Sequence, residues 1–327
     1  MCSLVVFLQT HNQRFLNMTN STKGILLAST TAIMWGVLAI ALKVALNYID
    51  SYTIVWWRFT ASFLTLAVFM GIRNPRSLNI LKRPPWLLLL AGLLLGINFI
   101  GFQQGVFYSG PAVTQIIIQA GPVLLALTGF LFFKEAVTAV RITGFILAAV
   151  GFFFFYHAQL ESLPAKTDLQ IGVLWTVIGA FTWTGYAIIN KVMVRKTPPM
   201  QVNLILYGLP MLLYIPLADF GALFQAHSAA IWLLFLFLAF NTLLAYGSLS
   251  MALKYTEANK ISIIVTLNPI ITFILLEILL WGNVHWFDSP AMAPLAYVGA
   301  IIVLIGAVLA VGARKRKVNA GNVNPLP

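Results

Sequence analysis

Apolar residues run along this chain in long blocks, each closed by a short turn of polar or basic residues. A helix needs about 20 mostly apolar residues to cross a bilayer. Ten blocks come close to or reach that length, at 24–42, 51–72, 86–106, 112–133, 140–157, 171–190, 201–219, 229–251, 260–281 and 293–312. Short turns between them make neighbouring helices antiparallel. The pattern predicts an all-α polytopic membrane protein of ten transmembrane helices, with an extension at 1–22 and a basic tail at 313–327.

The fourth block carries a defect. GPAVTQIIIQAGPVLLALTGFLFFKE, at 110–135, has Pro122 near its middle, and a proline inside a helix leaves one carbonyl without its donor. In lipid that carbonyl must be satisfied by protein, ordered water or ligand. The stretch has a second copy: moving 147 residues on carries Tyr108 to Tyr255, Gln115 to Ser262, Gln119 to Thr266 and Pro122 to Pro269. At an offset of 148, residues 24–44 set against 172–192 with eight identities in twenty-one ungapped positions, Trp35 on Trp183 and Lys43 on Lys191 among them. Each half therefore holds five helices, at 23–157 and 171–312, joined by an outer loop at 158–170. Five is odd, so the second half enters the membrane from the opposite side. Two inverted five-helix repeats of this kind give many secondary transporters two faces that open in turn around one midplane site.

Composition narrows the class further. Of 327 residues 60% are hydrophobic and 9% charged, where a soluble domain has about 25% charged; mean hydropathy is +0.91. A net charge of +12 would suggest nucleic acid in a soluble protein. Its distribution argues otherwise. With a cytoplasmic amino terminus, seventeen of the twenty Lys and Arg fall in or beside cytoplasmic segments, only Lys166 lies in an opposite loop, and Lys43 and Arg58 belong to helices. This is the positive-inside rule: both termini are expected in the cytoplasm and no nucleic-acid partner is implied. Residues 1–17 do not form a signal peptide, because CSLVVFL is too short an apolar run. The lone Cys2 excludes an internal disulfide, and His11, His157, His227 and His285 fall in loops or at helix ends, so no metal site is expected. No Gly-x4-Gly-Lys-Ser/Thr, Gly-x-Ser-x-Gly or His-Glu-x-x-His occurs, which argues against ATP-driven transport, a cofactor and enzymatic activity.

Two inverted fives, a Trp late in the first helix of each half, a proline-bearing fourth helix rich in small residues, and the closing acid of LFFKE resemble the EamA-type branch of the drug/metabolite transporter superfamily over about 22–312. One departure stands out: Glu135 follows Pro122 by thirteen residues, but Gly282 occupies that place after Pro269 and the nearest acid is Glu277. The resemblance implies a secondary transporter in the bacterial inner membrane, exporting small organic metabolites such as amino acids or related compounds. A small solute and the lipid bilayer are its partners, protons a candidate coupling ion, and the oligomeric state is left open. An uncoupled facilitator, or a membrane scaffold or lipid-handling accessory protein, are the alternatives.

Candidate working residues follow from polarity inside apolar runs. Arg58, in YTIVWWRFTASF, lies ~10 Å below the outer end of its helix at ~1.5 Å per residue, and an intramembrane cation is costly enough to suggest function. Glu277, ~6 Å from the outer end of its own helix, is expected to pair with Arg58 or Lys43 and close the outer side. Glu135 reads as a cytoplasmic helix-end pair or gate. Gln115, Gln119 and Pro122 share one helical face at i, i+4 and i+7, and Ser262, Thr266 and Pro269 repeat the spacing. Asn268 either bridges the interrupted backbone or meets ligand. Asn98, Gln103, Asn241 and Tyr246 add polar groups from the third and eighth helices, though Asn98 and Gln103 stand about 140° apart and cannot share a face. Trp35, Trp183 and Tyr186 are candidate aromatic walls.

Overall fold

The computed structural model describes residues 18–133, 138–162, 166–225, 227–256, 258–284, 286 and 293–312, and all regular structure among them is helical. The helices are α1 Asn20–Ala45, α2 Ser51–Arg73, α3 Trp86–Ile117, α4 Ala120–Phe133, α5 Ala139–Ser162, α6 Lys166–Met193, α7 Pro199–Tyr214, α8 Phe220–Phe224, α9 Ala229–Tyr255, α10 Ala258–Thr266, α11 Asn268–Trp281 and α12 Pro294–Gly312, with short 3-10 turns at Pro75–Leu81 and Ile215–Leu217. Among the described residues, eight helical stretches are long and apolar enough to cross a membrane, and Pro294–Ala310 is a shorter apolar one.

The third and fourth apolar blocks depart from the expected boundaries. α3 runs past 106 through a kink at Gly110, whose φ of 80° and ψ of 170° are a conformation essentially reserved for glycine. Pro111 follows, so the Phe107 carbonyl has no N–H four residues on. The Lys43 ammonium supplies the missing donor at 2.9 Å. A Cβ at Gly110 would meet nothing within 4 Å, so Gly110→Ala isolates backbone strain. It is expected to cost about 1–3 kcal/mol, read as a lowered thermal transition of the purified protein.

Helix starts follow from local chemistry. The Asp50 carboxylate accepts from the amides of Tyr52 and Thr53 at 2.8 and 3.1 Å and so caps α2, a contact worth about 1 kcal/mol. Thr53 in turn accepts from the Asp219 amide at 2.8 Å, tying the loop before α8 to that cap.

Helices in lipid gain no hydrophobic drive toward one another, so small residues that let backbones approach decide the packing. Along α5 and α12, Gly144 meets Ala310, Ala148 meets Gly306, Gly151 meets Val303 and Phe155 meets Gly299. The numbers rise on one helix as they fall on the other, so the pair is antiparallel. α3 and α6 pack in the same sense, Gly101 against Trp175, Gly105 against Thr176 and Ser109 against Gly172. α1 and α9 are joined by hydrogen bonds from Thr31 Oγ1 to the Ala245 carbonyl at 3.1 Å and from Asn241 Nδ2 to the Met34 carbonyl at 2.7 Å. Outward-facing Ile72, Leu174, Phe181 and Leu233 are exposed, as side chains facing lipid tails would be. Trp86 and Trp281, expected at the membrane boundaries, are also exposed.

Candidate functional site

Two interruptions of the helices meet at the centre. In the first half, α3 ends at Ile117 and α4 begins at Ala120, leaving a turn at Ile118 and Gln119; the Gly121 amide reaches the Ile118 carbonyl at 2.9 Å. That short bond satisfies the carbonyl that Pro122 would otherwise orphan. In the second half, α10 ends at Thr266, Leu267 sits at φ −84° and ψ −2°, and α11 starts at Asn268 with Pro269 in its first turn. Across the gap Gln119 Nε2 donates to Asn268 Oδ1 at 2.8 Å. Asn268 thus bridges the two interruptions, and the same Nε2 also reaches the Gln115 carbonyl at 3.3 Å.

Around this contact lies a cavity whose water-accessible core is about 60 Å³. Its polar lining is Arg58 with the amides of Asn98, Gln115, Gln119 and Asn268. Rings make much of the rest: Trp35, Phe99, Phe102, Trp183 and Tyr246. Trp35 stands edge-on to Trp183 at 6.4 Å and lies 5.3 Å from Tyr246. Asn98 Nδ2 donates to the Gly179 carbonyl at 3.0 Å, and Gln115 Nε2 to the Trp35 carbonyl at 2.8 Å. Gln115 Oε1 is buried without a partner among the described residues. Arg58 is 2% exposed; its Nε donates to Thr242 Oγ1 at 2.9 Å, and its guanidinium carbon lies 4.4 Å from the centre of the Phe99 ring.

A second, separate hollow of about 30 Å³ has Trp183 and Val265 in common with the first and is lined along α6 by Tyr186, Asn190 and Lys191. The matching stretch of α1 is filled: Ala39 and Leu42 are fully buried beside Leu38 and Val106 in a packed cluster.

Nine of the sequence candidates therefore surround one cavity: Trp35, Arg58, Asn98, Gln115, Gln119, Pro122, Trp183, Tyr246 and Asn268. Others lie elsewhere. Gln103 is fully buried outside the lining, with neither amide atom partnered among the described residues. Asn241 spends its amide on α1. Thr266 bonds back to the Ser262 carbonyl of its own helix at 2.7 Å. Pro269 is buried at the start of α11, and Tyr186 stands behind Tyr246, holding Asn190 Nδ2 at 3.0 Å. Ser262, Thr266 and Pro269 thus lie outside the lining, although the first-half trio Gln115, Gln119 and Pro122 lines it across a comparable break.

The expected pairing of Glu277 with Arg58 or Lys43 is corrected by the geometry. Glu277 Oε1 accepts from the Tyr297 hydroxyl at 2.7 Å, Arg58 bonds Thr242, and Lys43 bonds the Phe107 carbonyl. α11 turns Glu277 toward Tyr297 of α12. Glu135 lies outside the described residues. Phe99, Phe102 and Thr242 were missed. The only signal for the two rings was their i, i+3 spacing beside Asn98, which an apolar helix hides.

A model of the EamA-like transporter family matches residues 22–157 and again 170–312. The chain is 33% identical over 289 residues to the Escherichia coli K12 "Uncharacterized inner membrane transporter YhbE", covering 87% of this chain and 90% of that one. It is 30% identical over 288 residues to an "Uncharacterized transporter" of Haemophilus influenzae, covering 88% and 94%. It is 24% identical over 317 residues to a "Probable amino-acid metabolite efflux pump" of Escherichia coli K12, covering 91% and 98%. A solved crystal structure with 17% identity aligns at a TM-score of 0.63 over 88% of this chain and 96% of its own, a likeness of fold alone. Taken with the apolar spans, these matches describe a multi-pass inner-membrane transporter without enzymatic activity. The chain belongs to the EamA-like transporter family.

Proposed function

We propose that the chain is a secondary transporter that moves small organic metabolites by alternating access, built as ten membrane helices in two inverted five-helix repeats at 23–157 and 171–312, with both termini cytoplasmic. The observation that carries the reading is the cavity at the junction of the two broken helices, clasped by Gln119 and Asn268. Register supports the repeat. The Asn98 to Gly179 hydrogen bond and the Thr31 to Ala245 one join equivalent positions, since 98 and 245 differ by 147 and 31 and 179 by 148. Thr184 donates to the Gly121 carbonyl at 3.1 Å, and its counterpart Gly36 is close to the carbonyl of Asn268, the counterpart of Gly121. Inversion is supported by direction: α5 and α12, the last helix of each half, run antiparallel, where a direct repeat would set them parallel.

The two ends of the cavity differ, as a carrier resting in one state requires. A separate hollow lies along α6 toward Lys191, while the equivalent stretch toward Lys43 is packed by Leu38, Leu42 and Val106. By the charge rule the Lys191 side faces the cytoplasm. In the alternate state, Trp35 would turn from its neighbours and Leu42 and Val106 would part. The relative named as a probable amino-acid metabolite efflux pump supports amino acids or related compounds as the solutes and export as the direction.

Uncoupled facilitation is the second reading, favoured by one observation: among the described residues no Asp or Glu lines the cavity, so a coupling proton has no carboxylate to bind there. Purified protein in liposomes separates the two. Under an imposed pH gradient a proton-coupled carrier accumulates amino acid above equilibrium, and a facilitator only equalises it. Flux no greater than in protein-free liposomes, across a panel of amino acids and their organic-acid relatives, would sink both.

A further inference from the structure

Among the described residues Arg58 is a buried cation with no carboxylate beside it. Its hydrogen-bond partner is the neutral Thr242, the face of Phe99 lies against its guanidinium, and the Tyr246 side chain shares the same cavity wall. Burying a charge without a counter-ion is strongly unfavourable unless something else supplies the opposite charge. Thr242 receives only Nε, so the two terminal nitrogens, the pair that forms a fork with a carboxylate, are left to the cavity that Arg58 lines. Nor is this charge a product of the repeated scaffold. The equivalent position, 148 residues on, is Leu206, a fully buried side chain. The second half builds the same architecture without it.

Recognition of an ammonium has no comparable device. No acid lines the cavity among the described residues, and Gln119 and Asn268 spend an amide hydrogen and an oxygen on each other. What remains are neutral amide oxygens, Gln115 Oε1, Asn98 Oδ1 and Gln119 Oε1, which can accept from an ammonium but supply no charge to offset its own. Trp35, Phe99, Phe102 and Tyr246 offer flat apolar walls.

We infer that the cavity selects its solute by a single carboxylate, bound by Arg58 with a flat apolar body between the rings, and that an amino group is tolerated and not required. This rests on the transport reading only for the location of the site, and it narrows the solute class: an α-amino acid and the oxo acid of the same skeleton are both ligands, the corresponding amine is not.

The test uses the full chain in lipid nanodiscs and measures binding by calorimetry for phenylalanine, phenylpyruvate and phenethylamine, which share a ring and differ only at the polar end. The two acids are expected to bind within about tenfold of each other and phenethylamine about 100-fold more weakly, the scale of a lost charge-assisted pair. Arg58→Gln should weaken both acids about 100-fold while its unliganded thermal transition stays at or above that of the parent, because removing an unpaired buried charge relieves the fold. If Arg58→Gln does not accumulate, Thr242→Val, which removes only the Nε acceptor, should weaken both acids about tenfold. Phenethylamine binding as tightly as phenylpyruvate, absence of binding by all three, or acid affinities unchanged in these variants would overturn the assignment. Acid binding that depends on Arg58 without any flux in liposomes would leave the carboxylate site standing and remove the transport reading. Flux of the amine would do the reverse.

Discussion

Replacing Gly306 by leucine is expected to abolish accumulation of folded protein in the membrane. A Cβ at 306 would collide with the Ala148 amide nitrogen and stand 2.8 Å from the Gly144 carbonyl oxygen. Both are backbone atoms that no rotamer change can move. α5 and α12 would have to separate along a seam of close backbone packing, and overpacking costs typically about 1–3 kcal/mol even where side chains can adjust. Here the partner is main chain, so the cost should exceed that range. Gly247→Ala is the matched control: it too lies inside a helix, but a Cβ there meets nothing within 4 Å. Fluorescence-detected size exclusion of tagged protein reads both. A monodisperse Gly306→Leu protein at parental yield would mean that the α5–α12 contact does not hold the fold.

The second large effect is expected at the clasp. Asn268→Leu removes the acceptor of Gln119 Nε2 in a fully enclosed place. Leaving a buried amide unsatisfied costs about 1–3 kcal/mol. Because that nitrogen keeps a weaker bond to the Gln115 carbonyl, the lower end, about 1 kcal/mol, is expected. Gln119→Leu combined with Asn268→Leu should recover most of that loss, since two apolar groups then face each other. Transport should not recover: both single variants and the double are expected to fall at least about tenfold in solute flux, as groups acting as one unit do. Thermal unfolding with a flux assay on the same preparations separates the outcomes. Strictly additive stability losses would show that the two amides do not work as a pair, and parental flux in the double variant would remove the clasp from the pathway.

How much of this was readable beforehand depends on contrast. In a chain that is 60% hydrophobic, a polar residue inside an apolar block is conspicuous, and so Arg58, Gln115, Gln119 and Asn268 were found. Phe99 and Phe102 line the same cavity, but two phenylalanines among 24 carry no contrast, and only the rotation of α3 against its neighbours singles them out. Polarity alone does not separate the lining from its neighbours. Asn241 and Thr266 bond nearby carbonyls outside the lining, as Asn98 and Gln115 do within it, a common use of polar side chains in membrane helices. Glu277 shows the remaining limit. Counting residues predicts a depth near those of Arg58 and Lys43, but depth is one coordinate of two. Its direction around the helix, toward Tyr297, follows from how α11 lies on α12.

Membrane residence, the approximate course of most helices and the presence of proline defects in two of them are legible from the chain alone. Those features rest on local facts: the length of apolar runs, the missing N–H of proline, and a spacing of 147 or 148 that survives in single residues. Helix packing brings both breaks into contact, gives Arg58 a threonine and a ring as neighbours and, among the described residues, no acid, and leaves a hollow beside Lys191 where the stretch before Lys43 is filled. Each of these depends on the angle and register of helices distant in sequence. In lipid that register is chosen by backbone approach at small residues such as Gly144 and Gly306, whose consequence appears only when both sides of the contact are in place.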